Sequence, residues 1–104
     1  MSQACPSFEK KSKSEYRRFL NEVIVWMEDI MQRVDDDIYV LIYNQLLDIK
    51  ENVVDWALFT EWDEINQRYT LGGLAVKNFE EDDEMRMVLV NVFCGAIHYS
   101  EYPE

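Results

Sequence analysis

Most of what a catalytic or metal site depends on is scarce in this chain. It has one histidine and two cysteines in 104 residues. Cys5 and Cys94 make no disulfide framework. His98 has no second histidine or cysteine at ligand spacing, which argues against a zinc site. Three glycines and two prolines are too few turn formers for a many-stranded barrel, and favour helices joined by short connections. Gly72-Gly73 is followed by neither the Lys-Ser/Thr of a phosphate loop nor the spacing of a dinucleotide fingerprint. Residues 80–84 lack the alternating ligands and turn glycine of a calcium loop. No apolar run approaches the roughly 18 residues that span a bilayer, and the opening MSQACPSFEKK holds no apolar signal core. The expectation is a cytoplasmic chain with no catalytic residues, no cofactor and no metal.

Positive charge is also in short supply. Ten Lys and Arg stand against 21 Asp and Glu, a net charge of −11. The first 18 residues hold five of the bases (Lys10, Lys11, Lys13, Arg17, Arg18) against Glu9 and Glu15, a local balance of +3. The other 86 residues carry 19 acids against five bases, a balance of −14. Such a body repels nucleic acid and anionic membrane and attracts basic proteins. Hydrophobic residues at 48% and aromatics at 13% exclude intrinsic disorder. We expect residues 1–11 to form a flexible basic arm and residues 12–104 a single globular domain.

Periodicity predicts mainly helix. Ser12 with Glu15 fits a capping box, and Tyr16, Phe19, Leu20, Val23, Ile24, Met27, Ile30, Met31 and Val34 follow at helical spacing. Asp35, Asp36 and Asp37 then link to residues 35–59, where Ile38, Leu41, Ile42, Leu46, Ile49, Val53 and Ala57 form one apolar row. Val40, Tyr43, Leu47 and Val54 form a second. A helix apolar nearly all round is a buried one, so this stretch is expected to be central, with an acidic edge. Residues 52–59 also suit a strand or a separate short helix. Thr60 with Asp63 resembles a further cap, opening a segment through Trp62, Ile65 and Tyr69.

The last third supports two readings. With period two, Gly72-Gly73 is the turn of a β-hairpin and residues 85–94 and 96–102 are strands. With period 3.6, Asn78 caps a helix whose first turn is residues 80–84, followed by the stripe Met85, Val88, Leu89, Val92, Phe93, Ala96 and Ile97. The scarcity of turn signals favours the second. The expected fold is a compact bundle of about four helices; the alternative is α+β, two N-terminal helices on a small antiparallel sheet.

The acids group along the chain as Asp35, Asp36 and Asp37 with Asp48, Glu51 and Asp55; as Glu61, Asp63 and Glu64; and as Glu80, Glu81, Asp82, Asp83 and Glu84. On a regular helix residues 48, 51 and 55 share one row, with neighbours ~5–6 Å apart, of the order of successive phosphates on a nucleic-acid strand. Trp56, Trp62 and Tyr69 stand close to these groups as candidate interface anchors; the alternative for each is core packing, which suits Trp56 better than Trp62. The acids and Trp62 form the expected partner-binding surface. In size, acidity and lack of a catalytic signature the chain resembles the small acidic bacterial DNA-mimic proteins of the neisserial type. That resemblance implies a partner such as a histone-like nucleoid protein, its basic DNA-binding surface occupied by carboxylates. The alternative is an immunity protein that blocks the basic cleft of a nuclease toxin. Neither reading involves direct nucleic-acid or membrane binding.

Overall fold

Five α-helices and no strand make up residues 12–104, the part of the chain that the computed structural model describes. The expected N-terminal arm, residues 1–11, lies outside the described residues.

The first helix, α1 (Lys13–Arg33), begins where Ser12 Oγ accepts from the Glu15 amide at 3.1 Å. Its apolar stripe buries Tyr16, Phe19, Leu20, Val23, Ile24 and Met27, with Trp26 at the edge of the same face. Val34 closes the helix, donating to the Ile30 carbonyl, and is itself exposed. The second helix, α2 (Asp37–Ile49), is capped by Asp36, whose Oδ1 accepts from the Ile38 amide at 3.1 Å. The short connection lays α2 along α1, and Tyr43 donates its hydroxyl proton across the pair to Glu28 at 2.6 Å.

At Lys50 the helix widens into a π-helical segment, Lys50–Asp55, and the Trp56 amide bonds back five residues to Glu51. The helix does not continue through Ala57, whose φ is +50°, a value rare for a residue with a Cβ. The third helix, α3 (Trp62–Arg68), starts from Glu61 rather than from Thr60, and Glu64 Oε1 accepts from the Glu61 amide at 3.3 Å. Gln45 then ties α2 to the next junction, donating to Thr70 Oγ1 at 2.9 Å and accepting from the Thr70 amide at 3.0 Å. Next come α4 (Leu71–Asn78) and α5 (Glu84–His98), followed by the 3₁₀ turn Tyr99–Glu101.

Four expectations are corrected here. The α+β alternative fails, because Gly72 and Gly73 lie inside α4 and no described glycine has positive φ. Their value is in packing: a Cβ on Gly72 would stand 3.0 Å from the Phe93 ring, so the glycine lets α4 approach α5 closely. Asn78 ends α4 instead of capping α5. That cap is Asp83, whose Oδ1 accepts from the Met85 amide at 2.8 Å, so residues 80–83 are the preceding turn and not helix. Bundle size is five helices, since residues 62–78 supply two.

The fourth correction concerns the centre. The first row of α2 is buried at Ile42, Leu46 and Ile49, and Val53 continues it, but Val40, Leu41 and Leu47 are exposed. An all-round apolar helix is buried only if neighbours cover both sides. Here α1 covers one side of α2, while α3 and α4 pack chiefly against α5. The buried row of α2 joins one continuous core with the α1 stripe, with Ile65, Leu71 and Ala75 of α3 and α4, and with Val88, Leu89, Val92 and Ala96 of α5. Tyr16, wholly buried, donates to the Val92 carbonyl at 2.6 Å and joins the two helices.

Candidate partner-binding surface

Folding brings together two acidic groups that are more than forty residues apart in sequence. The start of α2, with Asp35, Asp36 and Asp37, lies beside the α4–α5 turn that carries Glu80, Glu81, Asp82, Asp83 and Glu84. Tyr39 sits between them, its ring 6.3 Å from that of Phe79. Its phenol is held above its usual acid constant by burial first, then by the Asp36 and Asp83 carboxylates. Seven of these eight acids are exposed, Asp83 is half-buried, and among the described residues none has an ion-pair partner.

The expected row of residues 48, 51 and 55 does not form as drawn. The spacing assumed a regular helix, and the π-helical segment begins between Asp48 and Glu51. Glu51 and Asp55 are exposed, but Asp48 is committed to a partner within the chain. Arg68 donates to both of its oxygens, Nε to Oδ2 at 2.7 Å and Nη2 to Oδ1 at 2.9 Å, and Asn52 adds a third donor at 2.7 Å. Arg68 holds the Asp48 carboxyl below the usual carboxylate range. The same guanidinium stacks 4.5 Å from the centre of the Phe59 ring. Burial, followed by its interaction with the Asp48 carboxylate, raises the adjacent Tyr69 phenol. Asp48 thus clamps α2 to α3 and to the loop between them.

That loop exposes what sequence reading misplaced. Trp56 is 68% exposed and Trp62 is 59% exposed, with Leu58 between them at 60%. Trp56, better suited to the core than Trp62 on sequence grounds, instead caps the end of the π-helical segment and faces solvent. The β-branched and aromatic residues of 52–59 signal a break in the helix without fixing its position, since alanine is a good helix former. Around the loop stand Glu61, Asp63 and Glu64, all exposed, and beyond them His98, whose Nδ1 lies 2.9 Å from Glu101 Oε2. Among the described residues no group of His, Cys, Asp and Glu side chains converges to hold a metal ion. No described helix is long and apolar enough to cross a membrane.

A helical scaffold with an acidic pole and exposed aromatics has the make-up of a protein that works by contact with another macromolecule. The chain belongs to the Tsi6 family, whose model matches residues 15–94, and that family is one of type VI secretion immunity proteins. No curated protein and no solved structure matches it. Family membership favours the immunity alternative read from the sequence over nucleic-acid mimicry, and a toxin over a histone-like partner.

Proposed function

We propose that this chain is an immunity protein that neutralises one toxin of a type VI secretion system by binding it and covering its active cleft. Family membership over residues 15–94 carries the reading. The chemistry agrees with it. A toxin whose substrate is anionic, a nuclease among them, needs a basic cleft. A protein of net charge −11, with eight acids gathered at one pole, is drawn to such a cleft and repelled by anionic surfaces. Inhibition by occupation requires no catalytic group in the inhibitor.

Co-expression with each type VI secretion toxin of the same genome tests the proposal, a neighbouring gene being the first to try. The expected result is restored growth with one of them, and a purified complex whose association slows steeply as salt rises toward physiological strength. Unrelieved toxicity with every one, or no complex between the two purified proteins at low salt, refutes it.

A further inference from the structure

The exposed segment between the π-helical turn and α3 is unusual on three independent counts. First is composition: Trp56, Leu58 and Trp62, each more than half exposed, occur within seven residues. Tryptophan is the residue most enriched among those that dominate binding energy, and large exposed apolar groups mark interaction sites. Second is rigidity. The Leu58 and Phe59 amides both donate to the Asn52 carbonyl, at 2.8 and 3.3 Å. Arg68 covers Phe59, and Ser100 Oγ donates to the Thr60 carbonyl at 3.1 Å. Third is strain. Ala57 is the one described residue other than glycine with positive φ, and such a conformation persists only where the surroundings impose it. A loop held this firmly loses little freedom when a partner arrives.

Charge indicates what the partner is. No Lys or Arg occurs between Lys50 and Arg68, and Arg68 is engaged by Asp48. Asp55, Glu61, Asp63 and Glu64 are exposed, and among the described residues none has an ion-pair partner. A second copy of the chain would set these acids against themselves. A basic face with apolar recesses satisfies both the acids and the indoles.

Resting on the immunity reading above, we propose that residues 55–64 are the anchor of the toxin complex. Trp56, Leu58 and Trp62 enter apolar recesses on the toxin's basic face, and the four acids pair with cations at its rim. The acidic pole at the other end of α2 then steers the approach and contributes little to holding the bound complex.

The test is binding of the purified catalytic domain of the toxin that co-expression identifies, followed in real time. Trp56→Ala and Trp62→Ala are each expected to weaken the complex at least ~20-fold, mainly by faster dissociation. Asp35→Lys with Asp82→Lys is expected to slow association and flatten its salt dependence while leaving dissociation within about threefold. Both indoles are exposed, so the melting temperature of each variant should match the parent and separate lost contact from lost fold. Tight binding by the parent together with tryptophan variants that bind within twofold of it overturns the anchor and leaves the immunity reading standing. A parent that neither binds nor protects against any of those toxins defeats the immunity reading itself. A parent that dimerises, with the dimer abolished by Trp62→Ala, assigns the loop to self-association and also overturns the proposal.

Discussion

Gly95→Ala sets helix propensity against tertiary packing, and the two predict opposite signs. Within α5, replacing glycine by alanine should stabilise by about 0.8–1 kcal/mol, because alanine loses less backbone freedom on folding. The structure places the added methyl against Tyr16: it would overlap Cε1 and stand 2.6 Å from Cδ1, where ordinary carbon contacts are ~3.5–4.0 Å. Tyr16 has little room to yield. It is wholly buried, its hydroxyl is bonded to the Val92 carbonyl, and its ring centre lies 5.5 Å from that of Tyr99 and 6.3 Å from that of Phe19. Overpacking of this kind costs about 1–3 kcal/mol, and a ring pushed aside forfeits the buried bond from its hydroxyl to the Val92 carbonyl at about 1–3 more. The net is a loss of about 1–5 kcal/mol, or roughly 5–40 °C in melting temperature for a domain of this size. Gly73→Ala is the matched control, since its Cβ would meet nothing within 4 Å. It should stabilise by about 0.5–1 kcal/mol. Thermal melts followed by circular dichroism decide the matter. A Gly95→Ala protein that melts at or above the parent would refute the close approach of α5 to α1 on which this account of the core depends.

The Arg68 clamp predicts a pH effect. Asp48 has a lowered acid constant in the fold, so its stabilisation is present above the unfolded value of about 3.9 and disappears as pH falls through the lower folded value. Asp48→Asn should therefore flatten the acid limb of urea stability measured from pH 2 to 6; an unchanged slope counts against the clamp. Arg68→Met should cost about 1 kcal/mol, modest because the pair is partly exposed. Charge reversal at Asp48 is expected to lower stability as well as alter binding, which makes it a poor probe of the interface. Ala57→Gly should raise stability by up to about 1 kcal/mol in a urea melt, relief of the positive φ exceeding glycine's added chain entropy. A loss there would show that the Ala57 methyl makes a contact worth more than the strain.

Helix α1 was the most legible element, because its cap and five-turn stripe are local features and the neighbours on that face confirm them. The α5 stripe was legible for the same reason, although its cap was placed at Asn78 instead of Asp83. Both residues are good caps, and only the turn at residues 80–83 separates them. Gly72-Gly73 misled because glycine serves equally for a turn and for close helix contact, and sequence alone does not show Phe93 waiting on the next helix. In the candidate surface, the acidic groups at residues 35–37 and 80–84 could each be picked out, but not that they share one pole. Asp48 looked like a free member of a row because Arg68, its partner, is twenty residues away. Trp56 looked better suited to the core than Trp62 because its β-branched and aromatic neighbours announce a break in the helix without fixing where it falls.

Sequence by itself determined what depends on near neighbours and on totals. It set the helical period, the first cap and the excess of acid over base. Tertiary structure decided what depends on distant residues. It chose which of two apolar rows on α2 is covered, which glycine must stay glycine, which acid is already paired and which indoles face solvent. The division has one cause: backbone hydrogen bonding and local side-chain spacing act over a few residues, whereas burial and charge pairing depend on whatever the rest of the chain brings alongside.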